Sequence, residues 1–304
     1  MFKLPMRESG QALLIVVLSL AVVLTVVLSI LARSVTDIKL STGSEESLRA
    51  FSAAEAGIER ALIAGSGTVT CDGVSCLDYG GASLTASVTE VGEGDTSFAN
   101  PTPILSGETA LFWFVAHDAD GSLTCSGGNN CFTGSRVDVC WGKDGTGASS
   151  STTPAVEISV IYSDPAVSGG DYSNLKVARE TADPYAGRLP DNSFSAPSAG
   201  GCSFGGEDFE FKKTLNFTTL GIPATSYNNE NGLQYLVVRM LYNTVESHTV
   251  GVSVPAGLLP AQGTLVESSG TSGEANRKIN VFQGFGEPPL PFGAVIFSPT
   301  GITK

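Results

Sequence analysis

RESGQALLIVVLSLAVVLTVVLSILARS, residues Arg7 to Ser34, is the stretch on which the reading of this chain turns. From Ala12 to Ala32 it carries no charged residue, no Gly and no Pro, and only Ser19, Thr25 and Ser29 are polar. About 20 apolar residues at about 1.5 Å per residue make a helix of about 30 Å, the thickness of a bilayer's hydrocarbon core. A cleavable secretory signal has a shorter apolar region, about 7 to 15 residues, closed by small residues, and Ile30-Leu31-Ala32 matches that site poorly. A soluble core helix of this length would carry a polar stripe. The run is therefore expected to span a membrane.

Lys3 and Arg7 precede the span, the flank retained on the cytoplasmic side, but Arg33 and Lys39 follow it, so charge orients it only weakly. Cysteines orient it better. Cys71, Cys76, Cys125, Cys131, Cys140 and Cys202 all come after the span, and disulfides persist in oxidising compartments. The bulk of the chain is expected outside the cytoplasmic membrane. With 30 Asp and Glu against 17 Lys and Arg, the net charge is -13, which disfavours nucleic acid as a partner of the bulk domain.

Beyond the span, RSVTDIKLSTGSEESLRAFSAAEAGIERALIAGSG changes from continuous to periodic. Val35 and Ile38 are three apart, and Leu48, Phe51, Ala54, Ile58 and Leu62 follow at three or four, the spacing of an amphipathic helix. Gly65-Ser66-Gly67 is the stop signal. A helix unbroken from Gln11 to Ala64 would be about 80 Å long. Gly43 is its expected weak point, and two separate helices are the alternative.

These residues carry a resemblance. ESGQALLIVVLSLAVVLTVVLSI resembles the class III signal segment of type IV pilins: a short charged leader, Gly10 at its end, and an apolar run that starts at once. LRAFSAAEAGIERAL is similar to the A-x-x-A-A-E-A-A helix of the PilX-type minor pilins. The resemblance covers residues 1 to about 64. It implies a leader, 1–10, removed by prepilin peptidase after Gly10, and a helix, 11–64, made of a span at 12–32 and an amphipathic part at 33–64. Residues 65–304 would be the extracytoplasmic domain. It also implies that other pilin subunits pack through the helix, whose apolar half contains Ile15, while the stripe of Phe51, Ala54, Ile58 and Leu62 is expected to dock on the globular domain. Gln11 would be the mature N-terminus in place of the family's usual Phe or Met; it would be methylated, or cyclised and thereby blocked. Ile15 stands at the fifth mature position, where most major pilins carry Glu. A carboxylate there pairs with a neighbouring subunit's amine, and Ile15 cannot supply it. That asymmetry suits a tip, priming or low-abundance subunit, whereas simple anchoring would leave Ile15 without meaning.

After Gly67, strand-like runs alternate with turns: Leu84 to Val91, Ala110 to Ala116, Arg136 to Trp141, Val156 to Tyr162, Phe209 to Thr218, Leu233 to Tyr242 and Thr249 to Val254. LFWFVA and YLVVRMLY are nearly continuous and are expected to be buried on both faces. Strands without intervening helical patterns argue for an antiparallel sandwich or barrel, so the class is α+β: a long N-terminal helix, then a β-rich domain. One domain is expected, with a split near residue 200 as the alternative. The stretches 142–153 and 192–201 are Gly- and Ser-rich surface loops. Lys278 to Phe282 reads as a strand, Pro288, Pro289 and Pro291 force an extended connection, and Gly293 to Ser298 returns as a last strand.

Six cysteines allow fifteen connectivities. CDGVSC and CSGGNNC close short Gly-containing loops and favour Cys71 with Cys76 and Cys125 with Cys131, which leaves Cys140 with Cys202; reduced buried thiols are the alternative. Neither spacing is a metal knuckle, and no metal or cofactor is expected. Asp118 and Asp120 before Gly121 form a fragment of a calcium loop without its further carboxylates, so a β-turn is expected there. Without a G-x-S-x-G elbow or an H-E-x-x-H helix, no catalytic residues are assigned and an enzyme is not expected. The expected function is that of a minor type IV pilin, a structural and assembly subunit of a pilus or pseudopilus, in a priming or tip position with an adhesive role. The alternative is a membrane-anchored adhesin or carbohydrate-binding module that never enters a filament.

Overall fold

The computed structural model describes residues 9–71, 81–118, 120–126, 130–164 and 175–286, with side chains of the first helix from Leu13 onward. The leader up to Glu8, Cys76 and the expected proline connection and last strand at 288–298 lie outside the described residues. One helix, α1 (Ser9–Ala64), opens the chain. The strands that follow are β1 (Gly67–Cys71), β2 (Ser83–Val91), β3 (Ser97–Ala99), β4 (Thr109–Trp113), β5 (Ala116–His117), β6 (Leu123–Thr124), β7 (Arg136–Lys143) and β8 (Ala155–Tyr162). They continue with β9 (Lys176–Ala182), β10 (Cys202–Phe204), β11 (Glu207–Asn216), β12 (Leu233–Leu241), β13 (Val250–Ser253), β14 (Gly263–Ser272) and β15 (Ala275–Gly284). The α+β class holds: a long apolar helix, then antiparallel β structure.

The chain groups into two compact units, Met1–Ser87 with Glu267–Asn280, and Val88–Val266 with Val281–Lys304.

The first unit is α1 and the sheet β1-β2-β14-β15. α1 runs for 56 residues and passes Gly43 without a break. Two of the three hydroxyls in its apolar part bond to the helix itself: Ser19 donates to the Val16 carbonyl at 2.9 Å and Thr25 to that of Val22 at 2.8 Å. The helix ends where Gly65, at φ 73°, donates its N–H to the Ala61 carbonyl at 2.9 Å, a left-handed cap that a side chain would oppose.

What docks on the sheet is a stripe of small residues. Ala50, Ala53, Ala54, Gly57, Ile58 and Ala61 are buried, at the i, i+3, i+4, i+7 spacing of one helix face. Opposite them β14 turns Ser268, Gly270 and Ser272 inward. The approach is backbone to backbone, because a Cβ built on Gly270 would overlap the Ala50 carbonyl and stand 2.6 Å from the Ala54 nitrogen. A two-residue turn, Gly273-Glu274, joins β14 to β15; its positive φ of 55° at the first position fits a type II′ hairpin. Arg277 on β15 donates to the Ser47 hydroxyl of α1 at 2.9 and 2.6 Å.

Two glycines should therefore respond with opposite signs. Gly270→Ala is expected to destabilise the chain by about 2–3 kcal/mol through overpacking against the α1 backbone. Gly43→Ala, with nothing within 4 Å of the new methyl group, should stabilise it by about 0.5–1 kcal/mol through helix propensity alone. Thermal unfolding of the full chain in detergent checks both, and equal shifts for the two variants would contradict the close docking.

The second unit is a sandwich. A five-stranded sheet, β10-β11-β7-β13-β3, faces a four-stranded one, β4-β12-β8-β9, and all their strand pairs are antiparallel. Val137, Val139 and Trp141 of β7 and Phe211 and Leu215 of β11 meet Phe112 of β4 and Leu236, Val238 and Met240 of β12 in one core. The single polar atom of Trp141 is satisfied, its indole N–H donating to the Pro154 carbonyl at 3.0 Å.

One expectation about burial is corrected. β12 is not buried on both faces: Leu236, Val238 and Met240 point into the core, while Tyr235, Val237, Arg239 and Leu241 are half-buried on the outer face. Its outer row is apolar too because Tyr235 leans on Trp113, with ring centroids 5.2 Å apart, so apolar residues line both sides of a strand that has one core face. β8, whose VEISVIY run alternates only in part, is buried at every position except Glu157.

Candidate functional site

α1 is the first feature that calls for a function. Gly10 and Gln11 lie in its first turns. Its apolar segment is long and uncharged enough to cross a membrane, and none of that segment is buried within the protein. Ile15 is 64 % exposed. Of the residues expected to pack, Ala54 and Ile58 are buried against the sheet, whereas Phe51 and Leu62 remain 45 % and 41 % exposed. The docking face is therefore rotated from the large apolar residues to the small ones, since only Ala and Gly allow the contact with Gly270. Phe51 and Leu62 are left outside it.

Two of the three expected cysteine pairs are present. Cys125 pairs with Cys131 and Cys140 with Cys202, at Cα separations of 5.4 and 6.1 Å. Cys71 is disulfide-bonded, and Cys76, its expected partner, lies outside the described residues. The Cys140–Cys202 bridge ties β10 to β7, and the Phe204 ring of β10 lies close to β13, where a Cβ on Gly251 would stand 2.7 Å from it. Asp118 and Asp120 sit in the hairpin turn between β5 and β6, where one Asp120 carboxylate oxygen accepts from both the backbone N–H and the hydroxyl of Ser122 at 2.9 and 2.6 Å. These bonds, which favour the ionised form, hold the Asp120 carboxyl below its usual range.

A second feature is a cleft of about 450 Å³ in the second unit, between the 143–153 loop and the 243–248 turn. Lys143, Asp144, Thr146, Ser150, Glu246 and His248 are among the residues that line it. His248 forms a buried part of the wall, 5 % exposed, and its Nδ1 accepts the Lys143 backbone N–H at 3.3 Å. The loop is held from behind. Arg188 donates to the Ser151 and Thr153 carbonyls at 2.8 Å each, and to both carboxylate oxygens of the fully buried Asp183 at 2.7 and 2.9 Å. Its guanidinium lies 4.0 Å from the centroid of Tyr242. Among the described residues, no three His, Cys, Asp or Glu side chains come together as a metal set.

The chain matches no protein-family model, no curated protein and no solved structure.

Burial lowers the pKa of both histidines. For His117, packed 4.4 Å from Trp113 and stacked 4.0 Å from Phe285, desolvation is the whole cause; for His248 it outweighs the opposing pull of Glu246 and is joined by repulsion from Lys143. A histidine whose folded pKa is depressed contributes stability that is present above its unfolded value, about 6.5, and lost as pH falls through the folded one. The chain should therefore weaken on acidification below about pH 6.5. In the double variant His117→Phe/His248→Gln this part of the slope should disappear. A stability difference between the two proteins that does not change with pH would count against it.

Proposed function

We propose that the chain is a type IV pilin-like subunit, a minor pilin anchored in the cytoplasmic membrane by α1 and drawn from there into a filament. The observation that carries this reading is α1 itself: one uninterrupted helix, apolar and uncharged at one end, bare along that end, and docked on a sheet by its other end. Such a helix has two environments to satisfy. The docked half belongs to its own head, and the bare half needs hydrocarbon or other helices of its kind. The leader ending at Gly10 adds a route for moving from the first to the second. The sandwich and its disulfides suit a head that works in an oxidising compartment.

Ile15 makes a tip or priming position the favoured place in the filament. A subunit with no carboxylate in its span contributes an amine to a neighbour but takes none in return. The second reading, a membrane-tethered adhesin or carbohydrate-binding module, is favoured by the cleft at His248, and it differs in one respect: its helix never leaves the bilayer. Gly10→Glu separates the two. The filament reading expects this variant to stay unprocessed in the membrane and to vanish from sheared surface filaments; equal recovery of variant and wild type in the sheared fraction would refute it.

A further inference from the structure

We propose that the cleft between the 143–153 loop and the 243–248 turn is a binding site for a neutral saccharide unit, with Glu246 and Asp144 accepting from sugar hydroxyls and His248 donating to one. Its volume of about 450 Å³ lies within the 300–1,000 Å³ typical of small-ligand sites. The lining is unlike that of a site for an apolar ligand. Among the described residues that line it, Val245 is the one large apolar side chain, and Thr146, Ser150, Thr152 and Thr153 give it a hydroxyl wall.

The hydrogen bonds decide what that wall offers. Thr146 donates its hydroxyl proton to the Lys143 carbonyl and Thr153 donates to that of Gly147 at 2.7 Å. Ser150 and Thr152 share one hydroxyl bond of 2.9 Å. Most of these protons are spent on the loop's own shape, so the remaining oxygen lone pairs are acceptors. With the two carboxylates they make a site rich in acceptors, suited to a ligand that brings many hydroxyl donors.

His248 supplies the opposite group. Because its Nδ1 accepts the Lys143 N–H, the neutral ring carries its proton on Nε2, a donor with no partner among the described residues. A buried imidazole with one nitrogen fixed by the backbone and the other left for a ligand is a built element rather than a surface accident. Charge narrows the ligand further. Asp144 and Glu246 outnumber Lys143, which weighs against phosphate, sulfate or a sialylated sugar. Arg188 pins the loop through Ser151 and Thr153, so the acceptors are positioned before a ligand arrives.

The chain has two histidines, so imidazole ¹⁵N NMR of the full-length protein gives two sets of signals, told apart with His117→Phe. The protein is held in micles of a detergent without a sugar headgroup and titrated with galactose, N-acetylglucosamine and N-acetylneuraminic acid to roughly 100 mM, well above the millimolar dissociation constants of weak sites. The expected result is a saturable shift of the His248 signals with a neutral sugar, no shift of His117, and an apparent Kd about tenfold higher in Glu246→Gln, with Thr152→Val as a second weakened variant. The inference is overturned if neither neutral sugar moves His248, if the acidic sugar alone does, or if both variants bind as wild type does. It stands apart from the filament reading, because none of these outcomes depends on how the N-terminus is processed.

Discussion

Arg188→Met is expected to destabilise the chain by about 3–5 kcal/mol, because it leaves the Asp183 carboxylate, which has no exposed surface, without its charge partner. Arg188 is 13 % exposed at the side chain and spends four hydrogen bonds on Asp183, Ser151 and Thr153. Two smaller bonds remain to the stranded carboxylate, from Asn192 Nδ2 at 2.7 Å and the Tyr185 N–H at 2.9 Å. Arg188→Lys should recover only part of the loss, since one ammonium cannot span the planar fork that reaches the carboxylate and two carbonyls together. The double variant Asp183→Asn/Arg188→Met should be more stable than Arg188→Met alone. Chemical unfolding of the four proteins forms a double-mutant cycle, and additive losses would mean that the pair is not coupled. The same substitution should loosen the 143–153 loop and with it the cleft.

Removing the Cys140–Cys202 bridge, as Cys140→Ser/Cys202→Ser, is the other large effect. It closes a loop of 62 residues, and releasing such a loop in the unfolded chain costs about 4 kcal/mol. Cys125→Ser/Cys131→Ser opens a loop of 6 residues and should cost about 2 kcal/mol. The larger effect also has a location. Without the bridge, β10 loses its tie to β7, and the 195–204 segment is left with backbone bridges such as Ser198 to Lys212. Hydrogen exchange should accelerate there before it does in β7 and β12. A loss equal to that of the short loop, or exchange that rises evenly across the sandwich, would count against this account.

The helix and the central strands were legible because their signals are large. Twenty-one residues from Ala12 to Ala32 without a charge have few other readings, and β8 and β12 carry apolar residues at nearly every position. Besides short strands such as β1, β3, β6 and β10, two long ones, β9 and β14, carry no such signal. KVARETA places only Ala178 and Ala182 in the core, and GTLVESSGTS alternates cleanly but turns Ser268, Gly270 and Ser272 inward. Small polar residues are buried there because a helix backbone comes close, and a search for apolar alternation does not see them. The same cause hid the docking face of α1. Ala50, Ala53, Gly57 and Ala61 have the right spacing, but Phe51 and Leu62 draw the eye because burial is usually associated with size. The cleft was out of reach. KDGTGASSSTT reads as a surface loop, and its shape depends on Arg188 and His248, far away in sequence.

Mass spectrometry of the N-terminal peptide, taken in parallel from sheared surface filaments and from membranes, tests most directly whether α1 is cut and then used. The filament reading predicts a terminus at Gln11, methylated or cyclised, recovered with the filaments. An intact Met1 to Gly10 confined to the membranes would contradict it.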